Sequence, residues 1–198
     1  GSKKSINGNL SFGQFHPNDS VNILIAVDVQ GSNLGFVVLE GCNKRSLREL
    51  NQDFKHDVKK LKTHGDVKFN SQMSLLRYVP AFVIQILLRV STWISYDLGL
   101  SVPFLHLKKH NFGYGMITNV IPFGVHDVHA PLVPFLRTIY VAVLNTPRLT
   151  PVVLNNEVVI RNMMKLNITF DHRFADGSDI VHVKGAFERA LHHLRHLV

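Results

Sequence analysis

Near its C-terminal end the chain runs from a strand pattern through a polar turn into a helix pattern, and few arrangements satisfy all three. Leu166, Ile168 and Phe170 alternate with Asn167, Thr169 and Asp171, the period-two signature of a half-buried strand. From Ile180 onward, Ile180, Val181, Val183, Ala186, Phe187, Ala190, Leu191 and Leu194 recur mostly at three- and four-residue steps. That spacing predicts an amphipathic helix, with Ser178 or Asp179 as its cap. His172 is therefore expected on the turn between strand and helix. Such a turn can hold a polar side chain at a cleft while the regular elements fix its direction, as a catalytic base requires. On the residues alone, His172 is equally readable as a satisfied structural histidine.

The rest of the chain supplies a scaffold for that turn. With 198 residues, 45% hydrophobic and 18% charged, it has the makings of one globular domain with a real core. Val21 to Asp28 and Leu34 to Leu39 read as a buried strand pair joined at Gly31-Ser32-Asn33. Ser46-Leu47-Arg48-Glu49 is a capping-box start, and Leu47, Leu50, Phe54, Val58 and Leu61 form one helical stripe. The lysines Lys55, Lys59, Lys60 and Lys62 fall on its solvated faces. Val79, Phe82, Val83, Ile86, Leu87, Val90, Ile94 and Leu98 predict a second helix of five turns, a core or subunit-interface element. Gln85 and Arg89 interrupt its apolar run, which excludes a membrane span and leaves docking on a membrane surface as the alternative. Pro151 to Ile160 reads as a hairpin around Asn155-Asn156.

Chemistry-bearing clusters elsewhere are few. His126 with His129, and His192, His193 and His196, match no zinc signature, so no metal is expected. The lone Cys42 excludes an internal disulfide framework and fits a reducing compartment, cytoplasmic or mitochondrial matrix-like. Lys and Arg outnumber Asp and Glu by 22 to 14, a net charge of +8 that would attract anions. No nucleic-acid-binding motif accompanies it, and no nucleic-acid partner is expected.

The string Asp171-His172-Arg173-x-x-Asp176-Gly177, one helix from the C-terminus, resembles the catalytic signature of the dihydrolipoyl acyltransferase components of 2-oxo acid dehydrogenase complexes. That family shares its fold and its H-x-x-x-D-G histidine with chloramphenicol acetyltransferase. The resemblance extends back to about Val21, through the strand Val21-Asn22-Ile23-Leu24-Ile25-Ala26-Val27-Asp28 and through Gly115-Met116-Ile117-Thr118-Asn119-Val120-Ile121-Pro122-Phe123-Gly124. It implies an α/β fold, a two-layer mixed sheet with covering helices, of the chloramphenicol acetyltransferase type. It implies that His172 takes the proton of a thiol on coenzyme A or dihydrolipoamide, and that Thr118, in place of the family's serine, donates to the oxyanion beside Asn119. Asp176 would hold the histidine loop through an arginine ion pair, with Arg173 in support, and Gly177 would permit the tight turn. Ile121 and Pro122 replace the family's first loop glycine and the residue after it, which changes the loop and the acyl group it admits.

The expected organisation is a polar N-terminal segment over 1–20, loop or edge strand behind an expression scar at Gly1-Ser2, and a catalytic-type domain over 21–198. The family's domain starts several tens of residues earlier, so this one is expected to lack that N-terminal portion. No lipoyl domain is apparent. The resemblance implies a homotrimer with sites between subunits and possible membership of a larger complex. The function expected is transfer of an acyl group from a thioester, acyl-coenzyme A or acyl-lipoyl, to a thiol, hydroxyl or amine. An inactive scaffold of the same fold and a carrier-dependent condensation enzyme are the alternatives.

Overall fold

The computed structural model describes residues 6–29, 33–76, 79–99 and 113–194. Gly1-Ser2, Gly31-Ser32 and His196 lie outside the described residues. In chain order the elements are β1 (Gly8–Ser11), β2 (Gln14–Pro17), β3 (Ile23–Val29), β4 (Asn33–Leu39), α1 (Leu47–Leu76) and α2 (Ala81–Thr92), the last running on into a π-helical turn over Trp93–Asp97. There follow β5 (Gly115–Asn119), β6 (Tyr140–Leu144), β7 (Arg148–Leu154), β8 (Glu157–Met163), β9 (Leu166–Phe170) and α3 (Gly177–Leu194).

One mixed five-stranded sheet, in the order β4-β3-β5-β6-β9, organises the molecule. Its three central strands, β3, β5 and β6, are parallel, and each edge strand runs antiparallel to its neighbour. The central strands are short apolar runs, as strands covered on both faces must be. On one face α1 lays Leu50, Phe54, Val58 and Leu61 against Val37, Leu39, Ile25 and Val27. The capping box starts that helix as its sequence predicts. Glu49 Nα–H donates to Ser46 Oγ at 3.3 Å, and Glu49 Oε2 accepts from Ser46 N at 2.8 Å. On the other face Leu24, Ala26, Met116, Val141 and Val143 are covered by Val128, Ala130, Leu132 and Val133 from the coil between β5 and β6.

Two stretches depart from the sequence reading. The polar N-terminal stretch folds as a ribbon, β1 on β2, about Phe12 and Gly13, whose φ values of 49° and 77° make the tight turn. Asn9 Nδ2 and Ser11 Oγ tie it to the carbonyls of Tyr96 and Asp97. The second helix is shorter than five turns: α2 ends at Thr92, and the wider π turn that follows seats Ser95 and Tyr96 in the interior. No residue of α2 is buried, so within one chain this is not a core helix, and among the described residues it neighbours the turn over Pro134–Leu136. No helix among the described residues is long and apolar enough to cross a membrane.

Candidate active site

His172 stands where the strand-turn-helix pattern puts it, one residue beyond Asp171 at the end of β9, with its side chain exposed. Asp171 holds that turn. Its amide donates to Ile139 O at 2.8 Å, and its carbonyl accepts from Phe174 N at 3.0 Å. Its carboxylate accepts from Arg173 N at 3.0 Å, from Arg173 Nε at 3.0 and 3.1 Å and from Arg173 Nη2 at 2.6 Å. Both neighbours of His172 are thus locked together, and the histidine backbone between them has little freedom. The guanidinium beside Asp171 holds its carboxyl below the ordinary carboxylate range, and the carboxylate raises the Arg173 pKa in turn. Arg173 also lies over the Phe174 ring, 5.9 Å from its centroid, and that ring meets Phe15 of β2 edge to face.

Asp176 caps the helix that follows the turn. Its Oδ1 accepts from Asp179 N at 3.0 Å and from Ser178 Oγ at 2.7 Å, while its own amide donates to Asp179 Oδ2 at 3.3 Å. Asp176 is therefore the N-cap of α3, in place of Ser178 or Asp179, and Asp179 returns the bond as the third residue of a capping box. Arg173 and Asp171 form an ion pair across the histidine turn. Gly177 does not make the turn possible: it opens α3 without a left-handed φ, and a Cβ there would meet nothing within 4 Å.

Thr118 lies on β5 between Ala26 of β3 and Val143 of β6, half-buried. By strand alternation it shares a face with Met116, the face covered by the coil after β5. Asn119, its neighbour, uses Oδ1 to accept from Ile121 N at 3.0 Å and so shapes the loop that follows. Thr118 and His172 do not meet within one chain. Across the sheet, Thr118 is level with Val143 and Asn167, whereas Asp171 is level with Ile139 and Tyr114 through backbone bonds of 2.8 and 2.6 Å. Four residues separate the two levels, about 13 Å along the strands, and two strand spacings of about 5 Å lie across them.

Each end has its own surroundings. At the histidine end a cleft of about 380 Å³ is lined by Asn9, Asp97, Arg137, Asp171, Arg173 and Phe174, within the usual size of ligand clefts. Arg137 is paired with Asp97 at 2.7 Å. Nearby, burial pushes the Tyr114 phenol up to about 12, so it stays protonated. At the threonine end the fully buried Asn145 braces the coil, accepting from Val128 N at 2.7 Å and donating to Lys165 O at 3.2 Å. Asp127 is held there by Lys165 and by Asn167 Nδ2, and His126 Nδ1 faces Thr146 O at 3.2 Å. Asp171 and Asn145 were not singled out from sequence. The signal for Asp171 is an aspartate two residues ahead of an arginine at a strand end; that for Asn145 is a single amide closing an apolar run.

This sheet order, with a histidine turn between its antiparallel edge strand and the last helix, defines a chloramphenicol acetyltransferase-like fold, the fold of dihydrolipoamide acetyltransferase cores. In sequence, residues 105–198 match the family described as 2-oxoacid dehydrogenases acyltransferase (catalytic domain), so that the resemblance spans the threonine strand and the histidine turn. The chain is similar in structure to the dihydrolipoamide acetyltransferase of Azotobacter vinelandii, with a TM-score of 0.64 and 16% identity over 97% of this chain and 63% of that one. It is similar also to a probable dihydrolipoamide acetyltransferase of Listeria monocytogenes, with a TM-score of 0.60 and 14% identity over 95% and 61%. A third similar structure is the cubic core of a pyruvate dehydrogenase multienzyme complex, with a TM-score of 0.59 and 16% identity over 92% and 58%. The chain thus spans about three fifths of the length of these proteins. No curated protein matches the sequence.

Proposed function

We propose that this chain transfers an acyl group from acyl-coenzyme A, or from an acyl-lipoyl thioester, to a thiol, with His172 as general base. The observation that carries the reading is the rigid turn that displays an exposed histidine between Asp171 and Arg173, which line a cleft, on a fold shared with acyltransferase cores. A ring nitrogen of neutral His172 accepts the thiol proton, and the sulfur's electron pair forms a bond to the thioester carbonyl carbon. The carbonyl electrons move onto oxygen, where the Thr118 hydroxyl donates to the negative charge. Collapse restores the carbonyl and expels the coenzyme A thiolate, which takes the proton back from the imidazolium. The A. vinelandii structure was studied for a serine, a histidine and an asparagine in its catalytic mechanism. Thr118, His172 and Asp176 are the hydroxyl, base and supporting residues here, with Asn119 and Arg173 shaping the loops and no metal required.

With Thr118 and His172 at opposite ends of one sheet, this reading joins His172 of one copy to Thr118 of another. A homotrimer, the smallest ring above a dimer, is the assembly we favour, within a larger complex as in the cubic core. The surface supports such packing. Leu149, Val153, Val158 and Ile160 share one face of the β7–β8 ribbon and are 69–74% exposed, a contiguous apolar patch of the kind that marks an interaction site. The test mixes His172→Ala with Thr118→Val chains, each inactive alone. Base catalysis and one oxyanion donor are each worth about 10²-fold or more. After subunit exchange, transfer should recover to a fraction of the wild-type rate. Proven exchange without recovery would exclude a shared site.

A further inference from the structure

The helix α2 carries apolar side chains outward. Phe82, Ile86, Val90 and Trp93 follow one another at steps of four, four and three residues, which sets them on one helix face, and they are 46–64% exposed. Val83, Ile84, Ser91 and Thr92, on the opposite side, are half-buried and turn towards the body. The helix is held in that orientation at its C-terminal end. The π turn that continues it seats Tyr96, whose hydroxyl donates to Leu136 O at 3.1 Å. Asp97 of the same turn accepts from Arg137 Nη1 at 2.9 Å and pairs with Nη2 at 2.7 Å. The stripe is therefore a fixed feature of the surface.

The charges around it are of one sign. α2 contains no Asp or Glu, and between Asp66 and Asp127 the sequence holds Lys68, Arg77, Arg89, Lys108 and Lys109 against the single acid Asp97, which Arg137 neutralises. Arg89 and Arg137 line a surface hollow of about 360 Å³ with Val90, Thr92 and Trp93, large enough for a small polar headgroup. An apolar stripe with an aromatic ring near each end and guanidinium groups beside it matches the layering of a lipid surface, with acyl chains below and phosphates above. A second copy of α2 fits worse, because a two-fold pairing brings Arg89 towards Arg89 with no acid on either helix to offset the repulsion.

We propose that this face of α2 docks on the surface of an anionic phospholipid bilayer. Phe82, Ile86, Val90 and Trp93 enter the boundary between headgroups and acyl chains, and a lipid phosphate sits in the hollow between Arg89 and Arg137. No described helix is long and apolar enough to cross a membrane, so α2 lies in the plane of the surface.

The experiment floats the purified full chain with phosphatidylcholine vesicles made with and without phosphatidylserine, and follows the emission of Trp93, the one tryptophan of the chain. Phosphatidylserine vesicles should bind the protein, shift Trp93 emission to the blue and, when their acyl chains are brominated, quench it. High salt should weaken this binding without abolishing it, because the apolar contact is not screened. Phe82→Ser with Ile86→Ser should cost at least tenfold in affinity, with mass and circular dichroism unchanged, and Arg89→Gln about fivefold on the anionic vesicles alone. Binding that salt removes completely, an unquenched Trp93, or equal binding by the double variant overturns the proposal and leaves only a general attraction of anions. Trp93 emission that is already blue without lipid and moves with protein concentration puts a second copy on the stripe, and overturns it as well.

Discussion

Asp176 shows how much a residue's bonds add to its place in a motif. Its position in the H-x-x-x-D-G string suggests an ion-pair partner, and its carboxylate also caps α3. Replacing it with alanine should remove a cap worth about 1 kcal/mol, lowering the thermal midpoint by roughly 2–4 °C. Asp176→Asn should lose little of this, since asparagine caps equally well. Calorimetry of the two variants separates a cap from a charge, because loss of an ion pair would make both fall together. At this scale the sequence was legible in kind and not in partner. That Asp171-His172-Arg173 forms a turn follows from where strand and helix periods end. That Asp171, rather than Asp176, binds Arg173 depends on side-chain directions set by the turn itself. Asn145 was harder still, because its partners, Val128 and Lys165, lie 17 and 20 residues away.

Among the elements, those governed by local chemistry followed their sequence. The Ser46–Glu49 box starts α1, and Asn155 and Asn156, with φ of 52° and 64°, turn the β7–β8 ribbon as the paired asparagines suggest. The β1–β2 ribbon is legible only as a loop or edge strand, because only Leu10 and Phe15, opposite one another, carry an apolar signal there. Periodicity also says that a face is apolar without saying what covers it. The stripes of α2 and α3 were both visible, yet Phe82, Ile86, Leu87, Val181 and Leu191 stand exposed in the single chain. The β7–β8 ribbon makes this testable. A lone two-stranded ribbon is marginal in water, and among the described elements this one packs chiefly strand on strand. If a second copy covers its apolar face, Val158→Lys with Ile160→Lys should shift the protein to monomers in sedimentation velocity, with the circular dichroism of α1 and the main sheet kept. Unchanged mass would place the interface elsewhere.

For the molecule as a whole, the sequence conveyed the strands, as apolar runs in the core and as an alternating run before α3, but their joining in one mixed sheet came through resemblance. Assembly is what it conveyed only through resemblance. If each site spans two copies, specific activity per chain should fall on dilution, in step with the loss of assembled mass followed by light scattering. Constant activity in proven monomers would mean that one chain suffices.

The run of β5 and β9 in opposite directions has a further consequence for mixed populations. In a closed ring every copy faces one neighbour with its histidine end and the other with its threonine end. A copy damaged at only one end spoils one junction, but a copy damaged at both spoils two. In a ring of three that leaves a single working junction, so one doubly defective member would remove two thirds of the ring's output while two of its three chains remain intact.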